Sequence, residues 1–374
     1  MLKLHPSYEN RVFGLDIMRA LAIIFVVMGH GGMLQHAGTG FPWIRLIDGV
    51  EMFFVLSGFL IGGILIKTFF KEQRFTLKSL GDFWVRRWFR TLPNYYLVLM
   101  LNIIVVAAGL TPEDFSQFNW KFFLFLQNFS SPFTGFFWES WSLSIEEWFY
   151  VFFPLLLLGS YLVMKSMKFG KSTIFLVAIL MFLLVPLLLR VFIAADYEVD
   201  EFWLQNKIYK VVVFRLDSIA WGILASIISY KLPVFWRSCR IYTFILGIVL
   251  TYFVLYFPWE TNAFSTKVFY NTLQSIGCFL LLPGFDSIRK GPRLLVKVFT
   301  HISLISYSMY LLNLGIIAQI INYNFPPVNA LHAWVQYGLY WFLVIFLSTL
   351  LYRFFERPMM DLREKISPGK SPKN

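Results

Sequence analysis

The stretch FGLDIMRALAIIFVVMGH, residues 13–30, sets the pattern for the whole chain, because it is a long apolar run with few polar side chains. A run of about twenty apolar residues is long enough to cross a bilayer as an α-helix. We therefore predict a first membrane span at residues 14–34. Arg19 and His30 lie inside it, and ionisable groups at membrane depth usually mark function.

Similar runs recur along all 374 residues, of which 58% are hydrophobic and only 14% charged. Soluble domains carry about a quarter charged residues, so the fold class predicted is an all-α polytopic membrane protein. A single transmembrane domain is expected over residues 1–363, followed by a disordered polar tail at 364–374. Residues 120–130 are apolar but short, and are predicted to be re-entrant or interfacial. The ten predicted spans are 14–34, 47–67, 91–110, 141–164, 173–194, 208–230, 240–257, 265–285, 302–323 and 333–355.

Basic residues are distributed unevenly among the loops between these spans. Of the 33 Lys and Arg residues, 25 fall on the side that holds both chain ends, five on the other side and three within predicted helices. Cytoplasmic loops carry such an excess. We therefore expect both termini in the cytoplasm, with the protein passing several times through the membrane. The net charge of +12 could alone suggest nucleic acid or anionic lipid, but the topology accounts for it, so we expect membrane lipids as partners and no nucleic acid.

Sequence signals for a metal or phosphate-loop site do not occur. The two cysteines, Cys239 and Cys278, lack the spacing of a zinc site, and no structural disulfide is expected. The sequence contains no phosphate-loop glycine pattern and no Gly-x-Ser-x-Gly elbow. We therefore expect no metal and no tightly bound cofactor.

Arg19 and His30 are eleven residues apart. This is about three helical turns, which places both on one face, roughly 16 Å apart along the axis. Gly29 and Gly31 flank His30 and would let a ligand or another backbone come close. The alternative is a snorkelling arginine and a histidine that only packs against its neighbours.

The fourth predicted helix opens with WSLSIEEWFY, residues 141–150. Ser144 and Glu147 fit a capping box, which would give Glu147 a structural role. Glu146 has the same predicted depth as His30, and a carboxylate beside an imidazole fixes its tautomer and raises its basicity. We therefore expect Glu146 near His30, with a water-exposed interfacial acid as the alternative.

Two further groups of charges stand out. Arg215 and Asp217, in FRLDSIAWG at 214–222, are two residues apart and cannot face each other on a helix, so we favour structural ion pairs to other helices, with Arg190 as one candidate partner. The segment DFWVRRWFRTLPNYY, residues 82–96, alternates aromatic and basic residues. Its arginines suit phosphate, but the pattern alone favours an amphipathic helix on anionic lipid.

In order along the chain, these motifs resemble the acyltransferase-3 family of membrane acyltransferases. Arg19, ten residues and His30 are similar to the family's Arg-or-Lys, ten residues, His signature. The motifs GVEMFFVLSGFL (49–60), FWVRRWFRTLPNY (83–95) and WSLSIEEWFY (141–150) resemble the next three, and Arg215-x-Asp217, ISYSMYL (305–311) and FERP (355–358) match looser positions. The resemblance covers residues 12 to about 358. Relatives often have histidine where this chain has Asn313, so we assign Asn313 no catalytic role.

The resemblance implies a ten-helix enzyme that takes acyl-CoA, usually acetyl-CoA, from the cytoplasm and acylates a hydroxyl. In many relatives the acceptor is a surface glycan or a lipid-linked sugar, and in some it is an antibiotic or a lipid. His30 would be the catalytic base, with a transient acyl-histidine as the variant, and Glu146 would orient His30 or the acceptor. Arg19 would contact the donor or stabilise developing negative charge. The CoA phosphates would bind to Arg86, Arg87 and Arg90, and the supporting residues would be Arg215, Asp217, Ser57, Trp141 and Tyr150.

Two other classes of protein fit ten helices with buried charges. A transporter or flippase for a lipid-linked sugar often shows inverted repeats and interrupted helix pairs, and the sequence shows neither. A non-catalytic scaffold would tolerate replacement of Arg19 and His30. An O-acetyltransferase remains the favoured prediction.

Overall fold

Ten long helices form the computed structural model, which describes residues 11–35, 47–72, 74–133, 135–196, 198 and 200–366. The first five are α1 (Phe13–His30), α2 (Gly49–Lys71), α3 (Leu77–Ala107), α4 (Ser140–Ser166) and α5 (Lys171–Asp196). The next five are α6 (Leu216–Lys231), α7 (Arg240–Tyr256), α8 (Phe264–Ser287), α9 (Arg293–Leu312) and α10 (Ala330–Leu351). Every predicted span overlaps one of these helices, and the described residues contain no strand.

Eight of the described helices are long and apolar enough to cross a membrane, which confirms the all-α polytopic fold class. The other two, α6 and α7, have 16 and 17 residues. At 1.5 Å per residue they reach about 24–26 Å, less than the roughly 30 Å of a bilayer core. Large apolar side chains remain exposed on the outer helices, for example Leu188 and Phe192 on α5 and Tyr242 and Ile245 on α7, as expected of a lipid-facing surface.

In α3 and α6 the difference between predicted and observed helix bounds changes the setting of candidate site residues. Helix α3 begins at Leu77, well before the predicted span, so Arg86, Arg87 and Arg90 lie on a regular helix rather than in a loop. Helix α6 begins only at Leu216, because the chain before it forms a π-helical turn, Leu204–Tyr209, and a 3₁₀ turn, Val212–Phe214. Arg215 therefore precedes the helix and does not lie inside it.

Helices α9 and α10 both continue past a π-helical turn. The turn Asn313–Ala318 joins α9 to the short helix Gln319–Asn324, and Tyr352–Glu356 joins α10 to Arg357–Ile366. The last helix includes residues 364–366, the start of the tail predicted to be disordered, and residues 367–374 lie outside the described part of the chain. The segment predicted to be re-entrant or interfacial contains the 3₁₀ turn Trp120–Leu124.

Helices α2 and α6 make the closest helix contact. A Cβ atom on Gly58 would overlap the carbonyl oxygen of Ile219, and one on Gly222 would overlap that of Val55. Glycine allows two helix backbones to approach in this way, and small residues are typical of such contacts in membranes. Gly62 packs on Ser226 in the same seam, whereas a Cβ on Gly63 would meet open space.

Replacement of Gly58 and Gly63 by alanine tests this packing, since both lie on α2. Gly58→Ala should lower stability by about 1–3 kcal/mol, because its methyl group has no room against the α6 backbone. Gly63→Ala should be neutral or stabilise by up to about 1 kcal/mol, because alanine is the better helix former. Thermal unfolding of both variants in detergent measures the difference, and equal melting temperatures would contradict the contact.

Candidate active site

His30 lies at the C-terminal end of α1, where its ring meets the π-helical turn of α9. Its Nδ1 is 2.5 Å from Oδ1 of Asn313. Nδ2 of Asn313 donates to the backbone carbonyls of Met309 and Tyr310, at 2.9 and 2.7 Å, so the amide oxygen faces the ring. Because that oxygen can only accept, Nδ1 of His30 carries the proton. Nε2 is then the nitrogen that can take up a proton.

Asn313 therefore belongs to the site, contrary to the expectation from the family pattern. It is fully buried, and the hydroxyl of Tyr340 on α10 donates to its Oδ1 at 3.4 Å and to the carbonyl of Val27 at 3.0 Å. These bonds join α1, α9 and α10 around one side chain. Asn313 is a positioning residue, because it fixes the tautomer and direction of the His30 ring.

His30 lines a cavity of about 320 Å³, which we call the histidine cavity. Its walls combine aromatic rings with polar side chains. The aromatic members are Phe25, Trp138, Trp141, Tyr209, Tyr270 and Tyr310, and the polar members besides His30 are Asp48, Glu139, Gln205, Lys210, Arg215 and Asn271. Such a mixture of ring faces and hydrogen-bonding groups suits a ligand that carries both apolar faces and hydroxyls.

Glu139 is the most buried carboxylate in the histidine cavity, with 1% of the residue exposed. Its Oε1 accepts hydrogen bonds from the backbone N–H groups of Leu314 and Gly315, at 3.0 and 2.7 Å. Its Oε2 has no hydrogen-bond partner among the described residues. Glu139 immediately precedes α4, so it ties the start of that helix to the turn that holds Asn313.

A second cavity, of about 90 Å³, lies among α1, α2, α3, α4 and α9, and we call it the arginine cavity. It is lined by Arg19, Arg87 and Arg90, whose guanidinium groups come from α1 and α3. Among the described ion pairs none includes these three arginines. Three cations around one small cavity favour an anionic ligand, and guanidinium groups bind phosphate particularly well.

Glu146 lies in the arginine cavity, and the expectation that it sits beside His30 is wrong in this respect. It lines the same wall as Arg87 and Ser57, whereas His30 lines the histidine cavity and meets Asn313. The two residues have the same predicted depth in the membrane, but His30 on α1 and Glu146 on α4 line different cavities. The capping box is wrong as well, because α4 starts at Ser140 and Glu147 lies inside the helix.

Tyr150 bonds to two residues that line the arginine cavity, Arg87 and Ser57. Its hydroxyl accepts from Nη2 of Arg87 at 2.7 Å and pairs with the hydroxyl of Ser57 at 2.7 Å. The Arg87 guanidinium also lies over the Tyr150 ring, 4.5 Å from the centroid. These contacts orient Arg87, which agrees with a supporting position for Ser57 and Tyr150. Trp141, the other aromatic supporting residue, lines the histidine cavity.

Arg86 has a different environment from Arg87 and Arg90. It is exposed and lines neither cavity, whereas Arg87 and Arg90 line the arginine cavity. Arg86 is one helical turn from Arg90, so helix spacing alone does not separate it from the other two. Of the three arginines predicted to bind phosphate, the two that line the arginine cavity are Arg87 and Arg90, together with Arg19 from α1.

Arg215 and Asp217 form ion pairs with other helices, as predicted. Asp217 on α6 pairs with Arg190 on α5 at 2.6 Å, and Arg215 pairs with Glu51 on α2 at 2.5 Å. Ser275 on α8 donates to the other Glu51 oxygen. Removal of one partner from such a pair leaves a buried charge and typically costs about 3–5 kcal/mol.

Lys210, between α5 and α6, is the one lysine on the wall of the histidine cavity among the described residues. Its ammonium lies 5.3 Å from the centroid of the Trp138 ring and donates to Oδ1 of Asn206 at 3.1 Å. Burial lowers the pKa of Lys210 to about 8, because the charged form loses water. The residue is still mostly charged at neutral pH and supplies a cation at the cavity wall.

Sequence reasoning did not identify Glu139, Tyr310 or Lys210 as site residues. Glu139 lies two residues before the motif at 141–150, and its partners are about 175 residues away in sequence. Tyr310 lies within the quoted ISYSMYL motif but carried no separate signal. Its position three residues before Asn313, on the same helix face, could have linked it to the site.

Comparison with known proteins agrees with this geometry. A family profile described as an acyltransferase domain matches residues 12–353. The chain belongs to the acyltransferase-3 family. An O-acetyltransferase of Staphylococcus aureus (strain COL), so named provisionally, is 29% identical over 92% of this chain and 56% of its own length. The peptidoglycan O-acetyltransferase OatA of Listeria monocytogenes is 32% identical over 42% of this chain and 26% of its own.

A third relative, from Bacillus subtilis and provisionally named a peptidoglycan O-acetyltransferase, is 32% identical over 43% of this chain and 26% of its own length. The chain thus spans little more than half the length of the curated relatives that it matches across most of its own sequence. No solved structure matches the chain.

Proposed function

We propose that this acyltransferase-3 protein is an O-acetyltransferase of a bacterial inner membrane. The donor is acetyl-CoA, and the acceptor is a hydroxyl of a cell-envelope glycan or lipid-linked sugar. The proposal rests above all on one observation. The arginine cavity and the histidine cavity share a wall, because Val50 and Tyr310 line both of them. Such an arrangement suits a two-substrate transfer, because it offers a separate binding site for each substrate.

The arginine cavity fits the donor. The side chains of Arg87 and Arg90 would bind the phosphate groups of CoA, and Arg19 adds a third positive charge. With both termini in the cytoplasm, as the loop charges indicate, α3 begins on the cytoplasmic side, where acetyl-CoA is present. Because the cavity is only about 90 Å³, the thin acetyl-bearing end of CoA would enter it, and the phosphates would remain at its mouth.

The histidine cavity fits a sugar. Its aromatic rings can pack on the apolar faces of a sugar ring, and its carboxylates and amides can bind hydroxyl groups. The names of the relatives from Listeria and Bacillus refer to peptidoglycan, which carries such hydroxyl groups. These features favour a glycan over a purely hydrophobic lipid acceptor.

The transfer step follows from the His30 tautomer. The acceptor oxygen attacks the thioester carbonyl carbon, and its proton passes to Nε2 of His30. The new C–O bond forms while the carbonyl electron pair moves onto oxygen. The carbon–sulfur bond then breaks, and the leaving thiolate takes the proton from the imidazolium. The products are an acetyl ester and free CoA.

A transfer assay tests this function directly. Purified protein with radiolabelled acetyl-CoA and peptidoglycan-type or lipid-linked sugars should release CoA and label the sugar. His30→Ala should lower the rate at least about 100-fold, because a general base contributes this much or more. His301→Ala is the matched control, since His301 lies outside both cavities and bonds to Thr349. Normal transfer by His30→Ala would remove the base assignment.

Two arginines on the same helix test the donor site. Arg90→Gln should raise the dissociation constant for acetyl-CoA about 10- to 100-fold, the value of a charged hydrogen bond to phosphate. Arg86→Gln makes the same change four residues away on an exposed side chain and should leave the constant unchanged. Isothermal calorimetry in detergent measures both. Equal effects of the two variants would return this segment to a lipid-facing role.

Asn313 variants test the tautomer. Asn313→Ala should lower kcat about 10- to 100-fold with little change in KM, as happens when a group that orients a functional histidine is removed. Asn313→Asp keeps an acceptor oxygen for Nδ1 but loses the amide donor to the carbonyls of Met309 and Tyr310, so its activity should lie between those of Asn313→Ala and the wild type. The added carboxylate raises the pKa of the imidazole, so the acid limb of the kcat profile should move to higher pH. An unchanged profile in both variants would argue against the His30–Asn313 contact.

A further inference from the structure

Tyr310 forms the polar part of the wall between the two cavities. It is 6% exposed and lines both of them, together with the apolar residue Val50. Its hydroxyl lies 2.5 Å from the hydroxyl of Ser142, which lines the arginine cavity. Both hydroxyls also lie 3.3 Å from the backbone carbonyl of Glu139.

These contacts leave the hydroxyl pair able to change partners. Two hydroxyl hydrogens serve three oxygens, and one hydroxyl can donate to the other while the second donates to the Glu139 carbonyl. Within the described part of the chain no charged group holds either hydrogen, and a hydroxyl hydrogen reorients by rotation about its C–O bond. A carbonyl oxygen of a ligand in the arginine cavity can therefore receive a hydrogen bond from this pair without movement of a helix.

We propose that Tyr310, with Ser142 beside it, binds the thioester carbonyl oxygen of the donor and stabilises the negative charge that develops there. This inference rests on the proposed function, because it assumes an acyl donor in the arginine cavity. As the acceptor oxygen bonds to the carbonyl carbon, the π electron pair moves onto the carbonyl oxygen. When the tetrahedral intermediate collapses, that pair re-forms the C=O bond and the thiolate leaves. The Tyr310 hydroxyl donates to the carbonyl oxygen while the Ser142 hydroxyl donates to the Tyr310 oxygen, and neither loses its proton.

The position of Tyr310 favours it over Arg19 for this role. Tyr310 precedes Asn313 by one helical turn, and its own carbonyl accepts from the Asn313 amide that faces His30. Asn313, which positions the base, and the Tyr310 hydroxyl thus lie one turn apart at the end of α9. Arg19 is eleven residues before His30 on α1, roughly 16 Å away along that helix, and is better placed for the distal part of the donor. Donors at a water-poor site stabilise an oxyanion strongly, because little water competes with them.

Tyr310→Phe tests the proposal, because it removes one oxygen atom and keeps the ring in the wall. The kcat for acetyl transfer should fall about 100-fold or more, the loss seen when one oxyanion donor is removed, while KM for acetyl-CoA and the dissociation constant for CoA change less than about threefold. Tyr95→Phe is the matched control. Its buried hydroxyl donates to the carbonyl of Phe122 at 2.7 Å and lines neither cavity, so kcat should stay close to wild type.

Ser142→Ala gives a second, independent measurement and decides the matter if Tyr310→Phe does not fold. It should lower kcat at least about 10-fold, again without a matching rise in KM. Wild-type kcat in both folded variants, or a loss of kcat in step with weaker CoA binding, would overturn the proposal. The wild type and His30→Ala are measured in the same assay. If wild-type protein transfers no acetyl group to any glycan offered, the proposed function fails and this inference fails with it.

Discussion

The hydrogen bond between Nδ1 of His30 and Oδ1 of Asn313 is the interaction on which the site depends. It forms where α9 widens into a π-helical turn, and such turns are frequent at functional sites. The same turn presents the N–H groups of Leu314 and Gly315 to Glu139. One irregular turn therefore fixes the imidazole from one side and the start of α4 from the other. A regular helix would satisfy those N–H groups internally and leave Glu139 without its two donors.

Buried charge is divided between structure and chemistry in this protein. Arg190 and Arg215 each meet a carboxylate from another helix, which satisfies both charges where water is scarce. Arg19 and Arg90 instead line a cavity, and no described ion pair includes them. Because burial of a charge without a counter-charge is costly, this second arrangement is favourable only with water or an anionic ligand in the cavity. The presence or absence of a carboxylate partner, rather than the number of arginines, distinguishes the structural arginines from those that line the cavity.

Sequence alone predicted the helices well, and their contacts much less well. Apolar runs of twenty residues decide that a helix forms, because no other local structure satisfies the backbone in a membrane. They do not decide which way a side chain turns, and for this reason Glu146 was expected at His30 although it lies in the other cavity. They also cannot show partners that are distant in sequence, such as Glu139 and Gly315. Asn313 was dismissed because it departs from the family pattern, yet an amide can hold Nδ1 of a neighbouring histidine as an acceptor.

The thin wall between the cavities has a chemical consequence. A thioester that reached the histidine cavity freely would meet whatever water that cavity holds, and water is a competing acceptor for the acetyl group. In the proposed function, Val50 and Tyr310 would limit where a donor carbonyl can meet His30, next to a pair of hydroxyls. The groups that would activate the carbonyl are then the same groups that restrict access to it. Both effects would come from the contact between Ser142 on α4 and Tyr310 on α9. A substitution that widens the wall should therefore slow acetyl transfer and also increase hydrolysis of the donor by water.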